Sequence, residues 1–328
     1  MWPVMAQGHG APPPHEDDSF KLGKDYPAYG LFQPSFGDGG IYGPEPEYTT
    51  PMNVILGLSD AYRAGKRLKL PRYEEFGVFA QELMARMREC IERDRGTTPE
   101  GIPYVPLSMA ENESYKPQTG CATIARVAFH GEFEPDDRIV TDLLRLIDAC
   151  DDREGIPECT GWRSDQSIYT YSSVRFAQLL LQAGQREKAA DYLYAFANHA
   201  SASRVWREEQ PVRETHSAEI CGDMPHNWAS VEFIRLVRNL VVLETFTGVE
   251  LLPGLPEEWL PRAGDSLVLE KTPTRFGKLS LELSVRGRGG YLLSVAREDG
   301  NQQPQYLRLH WAGKAVLDGG ELEKSNGK

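Results

Sequence analysis

Acidic side chains beside aromatic ones recur in the glycine-rich connections of this chain. Asp38 sits in FGDGG, Glu111 and Glu113 in MAENES, Asp165 in WRSDQ, Glu208 and Glu209 in WREEQ, and Glu219 and Asp223 ahead of HNW. Two carboxyl groups facing one another are the minimum apparatus for cleaving an acetal. One, protonated, donates to the leaving oxygen; the other, ionised, activates water or attacks. The gap between them sets the stereochemistry, at roughly 6.5–9.5 Å for inversion and about 5–5.5 Å for retention. Trp and Tyr add flat apolar platforms for the CH faces of a sugar, and carboxylates or Gln meet its hydroxyls. In a chain with 48 acidic residues, any single Asp or Glu is more often a solvated group, a cap or an Arg partner. Repetition of the same loop chemistry is what raises these positions above that background.

Other chemistries lack their signatures. His199, His216 and His226 do not have HExxH spacing, and no Cys or His pairing suggests zinc, so no metal or other cofactor is expected. The sequence has no GxSxG elbow, P-loop or dinucleotide fingerprint. A net charge of -12 repels phosphate backbones and anionic lipid surfaces, which argues against nucleic acid and membrane partners and leaves a neutral saccharide. Five cysteines (Cys90, Cys121, Cys150, Cys159, Cys221) form no CxxC pair, and neither a long apolar run nor a signal-like start is present, which predicts a soluble, cytoplasmic protein.

The elements that must carry these loops are mainly helical. Apolar spacing predicts seven helices, over 53–64, 76–91, 121–129, 139–147, 171–183, 186–199 and 228–245. The clearest stripe is Phe76, Phe79, Leu83, Met87, Cys90 and Ile91. Gly184 makes a short turn between two of the helices, as in an antiparallel hairpin. The stretch 228–245 is apolar around most of its circumference and is expected inside the protein. Short turns alternate with long functional-looking loops, so in a ring of hairpins the long loops would line one mouth. After Thr247 the period changes to two: Leu279, Leu281, Leu283 and Val285 alternate with polar residues, and GRGG leads into YLLSV as a hairpin. Further strands are expected over 267–269, 306–311 and 315–317. The division expected is a tail or linker over 1–22, a helical domain over 23–248 and a small antiparallel β-domain over 249–328.

Trp206-Arg207-Glu208-Glu209-Gln210, followed after a polar loop by Trp228-Ala229-Ser230 opening a long helix, resembles the late portion of the six-hairpin, (α/α)6 toroid glycosidases, glucoamylase-like and trehalase-like. The likeness runs over about 35–250, and its motifs are moderately specific for the superfamily but weak for substrate. It implies an inverting glycosidase with Glu209 as the base and Glu208 as its closest rival. The superfamily's Trp-Glu-Glu acid cluster is absent before Trp206, so Asp38, or alternatively Asp165, is the candidate acid on neighbourhood rather than motif. Trp162, Tyr169, Trp206, Glu208, Gln210, Asp223, His226 and Trp228 would shape the cleft. Six hairpins need about twelve helices, so the expected fold is an incomplete toroid. A longer chain, a partner chain or self-association would complete it, or the ring has become a smaller, inactive solenoid. Two other functions stay open: a non-catalytic carbohydrate-binding or structural protein on the same scaffold, and a carbohydrate lyase or epimerase-like toroid relying on His226 and Tyr169.

Overall fold

The computed structural model describes residues 27–31, 46–109, 132–150, 155–158, 160–161, 166–211, 222–287, 289–298, 300, 303–312 and 314. Asp38, Trp162 and Asp165, the helix expected over 121–129 and the strand over 315–317 lie outside them.

Six α-helices occur among the described residues, followed by small sheets. The first two, α1 (Thr49–Leu68) and α2 (Tyr73–Asp94), pack together as a hairpin. Helix α1 starts earlier than its apolar spacing predicts because Pro51 fits the first turn, where no N–H is needed. It closes at Lys69, which is left-handed, with the Leu70 N–H returning to the Gly65 carbonyl at 2.9 Å. Short strands β1 (Gly96–Thr97) and β2 (Pro103–Tyr104) pair behind α2. Helix α3 (Arg138–Ala149) is capped by the Asp137 carboxylate, which accepts from the Ile139 N–H at 3.0 Å.

Strand β3 (Ser167–Tyr169) runs directly into α4 (Thr170–Gln182), and a turn with Gly184 at φ +77° reverses the chain into α5 (Arg186–Asn198). That is the hairpin the sequence predicts. After β4 (Glu209–Pro211), which pairs antiparallel with β3, helix α6 (Asn227–Val241) packs on both α4 and α5.

The enclosed helix is α4, not α6. Tyr171, Val174, Phe176, Ala177, Leu179, Leu180 and Leu181 are all buried, because α4 has α5, α6 and β3 against it. Helix α6 is shorter than the apolar run suggests, since the chain turns extended at β5 (Val242–Glu244). Its neighbours cover one side only, through Ala229, Leu236 and Leu240. Val231 is 52% exposed and Ile234 67%, so the expectation of a fully interior helix is corrected to an amphipathic one with an apolar outer stripe.

A second apolar cluster begins at Val241 and Val242 and belongs to the sheets. Strand β6 (Gly248–Leu251) pairs antiparallel with β5 and parallel with β10 (Tyr306–Leu309), so this sheet is mixed rather than wholly antiparallel. Strands β7 (Ser266–Thr274), β8 (Gly277–Arg286) and β9 (Gly290–Glu298) form an antiparallel meander. Leu279, Leu281 and Leu283 put one face of β8 into the core, as their alternation requires. Arg186 at the start of α5 contacts His310 Nδ1 at 2.6 Å, and His310 also contacts the buried Glu250, which joins the helical part to this sheet. No helix among the described residues is long and apolar enough to cross a membrane.

Candidate functional site

Only the end of the WREEQ segment is strand: β4 begins at Glu209, and Glu208 lies at a bend just before it. The two carboxylates meet different partners and differ in burial. Glu209 has no exposed surface, sits opposite Tyr169 in the β3–β4 register, and accepts the Ser167 hydroxyl at 2.6 Å. Glu208 is half-buried and faces a different set of groups.

That set is polar and aromatic. The Tyr169 hydroxyl donates to Glu208 Oε1 at 3.4 Å and also contacts the hydroxyl of Tyr171. A carboxylate oxygen of Glu208, one of Asp223 and a ring nitrogen of His226 all lie within 4.8 Å of one another. His226 donates its Nδ1–H to Asp223 Oδ1 at 2.7 Å. This hydrogen bond outweighs the small opposing cost of desolvation and holds the Asp223 carboxyl below the usual aspartate range, so it is ionised near neutrality. With Nδ1 committed, Nε2 of His226 is buried and has no hydrogen-bond partner among the described residues. Three oxygen and nitrogen donors this close are also close enough to grip a small cation, a feature that no sequence spacing announces.

The aromatic wall is built by α4 and α6. His226 stacks on Tyr171 with centroids 5.4 Å apart, and Trp228 meets Tyr171 edge-on at 5.3 Å. Trp228 remains 48% exposed, so its indole is available to a ligand. Arg175 lies over the Tyr171 ring, 4.8 Å from its centroid, and is paired with Glu232 at 3.1 Å.

Of the residues expected to shape a cleft, Tyr169, Glu208, Asp223, His226 and Trp228 come together here. Trp206 and Gln210 do not join them. The indole of Trp206 is 5% exposed, stacks on Phe196 at 4.7 Å, packs against Phe233 and donates Nε1–H to the Phe196 carbonyl. Gln210 donates its side-chain N–H to the His199 carbonyl at 2.9 Å and so ties β4 to the end of α5. Tyr171 and Ser167 are parts of the arrangement that sequence reasoning did not single out. A Tyr-x-Tyr pair straddling a strand-to-helix junction is the signal that could have found Tyr171. Nothing in the sequence distinguishes Ser167.

No family model and no curated protein matches the sequence. Among solved structures, a wild-type glycosidase aligns with 60% of this chain and 52% of its own at 14% identity and a TM-score of 0.45. A tyrosine-to-phenylalanine form bearing the same name aligns over the same shares with a TM-score of 0.46. A metal-independent α-mannosidase of Streptococcus pneumoniae, in a non-productive substrate complex with α-1,6-mannobiose, aligns with 73% of this chain and 59% of its own at 15% identity and a TM-score of 0.43. The chain spans about half the length of the glycosidase structures it matches. Similarity at this level fixes neither a family nor an activity.

Proposed function

We propose that the protein hydrolyses glycosidic bonds of a neutral oligosaccharide at the Glu208–Asp223–His226 cluster. The observation that carries this reading is a half-exposed carboxylate, Glu208, flanked by a tyrosine hydroxyl, a second carboxylate and an imidazole, with the exposed Trp228 indole beside them. Polar groups to meet hydroxyls next to an aromatic face to meet CH groups are what a sugar ring requires.

The base in this proposal is Glu208 rather than Glu209. A carboxylate with no exposed surface cannot take a proton from a bound water without first being uncovered, whereas Glu208 can. Asp223 does not serve as its inverting partner. The hydrogen bond with His226 holds the Asp223 carboxyl below the usual aspartate range, and so ionised, which unsuits it as the proton donor. An inverting reaction therefore draws its acid from Asp38 or Asp165, and a retaining one uses the ionised Asp223 as nucleophile with Glu208 as acid and then base.

An epimerase working on a neutral sugar through His226 and Tyr169 is compatible with these carboxylates, whereas a lyase working on a uronate is opposed by them. Such a substrate would bring a third carboxylate against two existing ones. The binding-only reading shares this geometry and differs in turnover alone. Incubation with a panel of neutral α- and β-linked oligosaccharides and of uronate-containing ones, assayed for reducing ends and for ultraviolet absorption, separates hydrolysis, elimination and binding alone. New reducing ends without ultraviolet absorption support hydrolysis, ultraviolet-absorbing unsaturated products would replace it with elimination, and saccharide affinity without product would leave a binding protein.

A further inference from the structure

The segment that returns the chain to α6 is sewn onto the segment that carries Glu208. The Glu208 N–H donates to the Asp223 carbonyl at 3.1 Å, the His226 N–H donates to the Trp206 carbonyl at 2.8 Å, and Arg207 Nη1 donates to the Gly222 carbonyl at 3.2 Å. These contacts press Gly222 flat against the side chain of Glu208. A Cβ placed on Gly222 would lie 2.1 Å from Glu208 Oε2, 2.3 Å from its Cβ and 2.8 Å from its Cδ. Those distances are far inside van der Waals contact, and they involve both ends of the glutamate side chain. Rotating the carboxylate alone therefore does not relieve them.

The Tyr169 hydroxyl reaches the other carboxylate oxygen, Oε1. The carboxylate is thus held between a tyrosine hydroxyl and a bare backbone, with one oxygen turned to each. Gly222 also has φ +80°, a conformation that a side chain would strain independently of the clash.

We propose that Gly222 is a positioning residue for the reaction assigned to Glu208, its missing side chain being the slot in which that carboxylate is oriented. The inference rests on the hydrolytic reading for its kinetic consequence, but the orientation of Glu208 can be measured without any substrate. Displacing a reacting carboxylate by about 1 Å can cost a hundredfold in rate with little change in ground-state binding. A purely structural glycine would instead lower the amount of folded protein and leave the rate per folded molecule alone.

The test is Gly222→Ala in the full chain, with two readouts. In protein carrying 13C at the glutamate carboxyl, the Glu208 resonance, assigned by its loss in Glu208→Gln, is expected to move in Gly222→Ala while the other glutamate resonances keep their positions. On a glycoside that the wild type hydrolyses, kcat is expected to fall about a hundredfold with KM changed by less than about threefold. An unmoved Glu208 resonance in folded Gly222→Ala overturns the inference, whatever the wild type does to saccharides. A moved resonance with kcat per folded molecule unchanged overturns it as well. If Gly222→Ala does not fold, Tyr169→Phe releases the other oxygen of the same carboxylate, and an unmoved Glu208 resonance there overturns the inference too. Absence of turnover in the wild type on every glycoside would remove the hydrolytic reading while leaving the spectroscopic result to stand alone.

Discussion

Ser167 donates its hydroxyl to the Glu209 carboxylate at 2.6 Å, with both residues completely enclosed. The bond lies across the β3–β4 pair, where Tyr169 is the register partner of Glu209. A buried carboxyl group so held fixes where the strand begins, and with it the place of the preceding residue, Glu208. Ser167→Ala removes a donor from an enclosed carboxylate and should lower stability by about 1.5–3 kcal/mol in chemical denaturation. A loss under ~0.5 kcal/mol would mean that the bond does not hold the pair together.

The two tryptophans of this region should behave oppositely. Trp206→Ala empties a site between Phe196 and Phe233 and is expected to cost about 3–5 kcal/mol, enough to unfold much of the protein. Trp228→Ala removes a half-exposed ring, so folding should change little while saccharide affinity drops. Equal stability losses for both, in parallel denaturation curves, would contradict their placement.

Acid should loosen the tie between β6 and β10. Burial alone would push the Glu250 carboxyl up, but the hydrogen bond from His310 and the charge of Arg308 outweigh it, so its folded-state value lies below the ordinary glutamate one. A carboxyl lowered on folding contributes stability that is fully present above the unfolded-state value and is lost as pH falls through the folded one. Glu250→Gln should therefore cost on the order of 2 kcal/mol near pH 7, and the gap to the wild type should close as pH drops below about 4. A gap that widens on acidification would reverse the sign assigned to this group.

How much of this was legible in the sequence depended on what each signal reports. The α4–α5 hairpin was readable because Gly184 and two apolar runs act locally, and β8 and β9 because period-two alternation maps onto one buried face. Helix α6 was misjudged from the same kind of signal. An apolar circumference says that a helix can be buried, not that neighbours exist on every side, and Val231 and Ile234 face outward. Within the site, the motif resemblance ranks Glu209 ahead of Glu208, and burial reverses that order: Glu209 has no exposed surface, whereas Glu208 is half-buried. Gly222 carried no chemistry to notice, since its part is to leave room.

The central claim is most directly tested by comparing Glu208→Gln with Glu209→Gln on one glycoside that the wild type hydrolyses, each variant checked for folding by its melting transition. The account predicts that Glu208→Gln melts close to the wild type and loses at least about a thousandfold in kcat, whereas Glu209→Gln melts lower and keeps its rate per folded molecule within about tenfold. Full hydrolysis by Glu208→Gln, or a normally folded Glu209→Gln with no turnover, would contradict it.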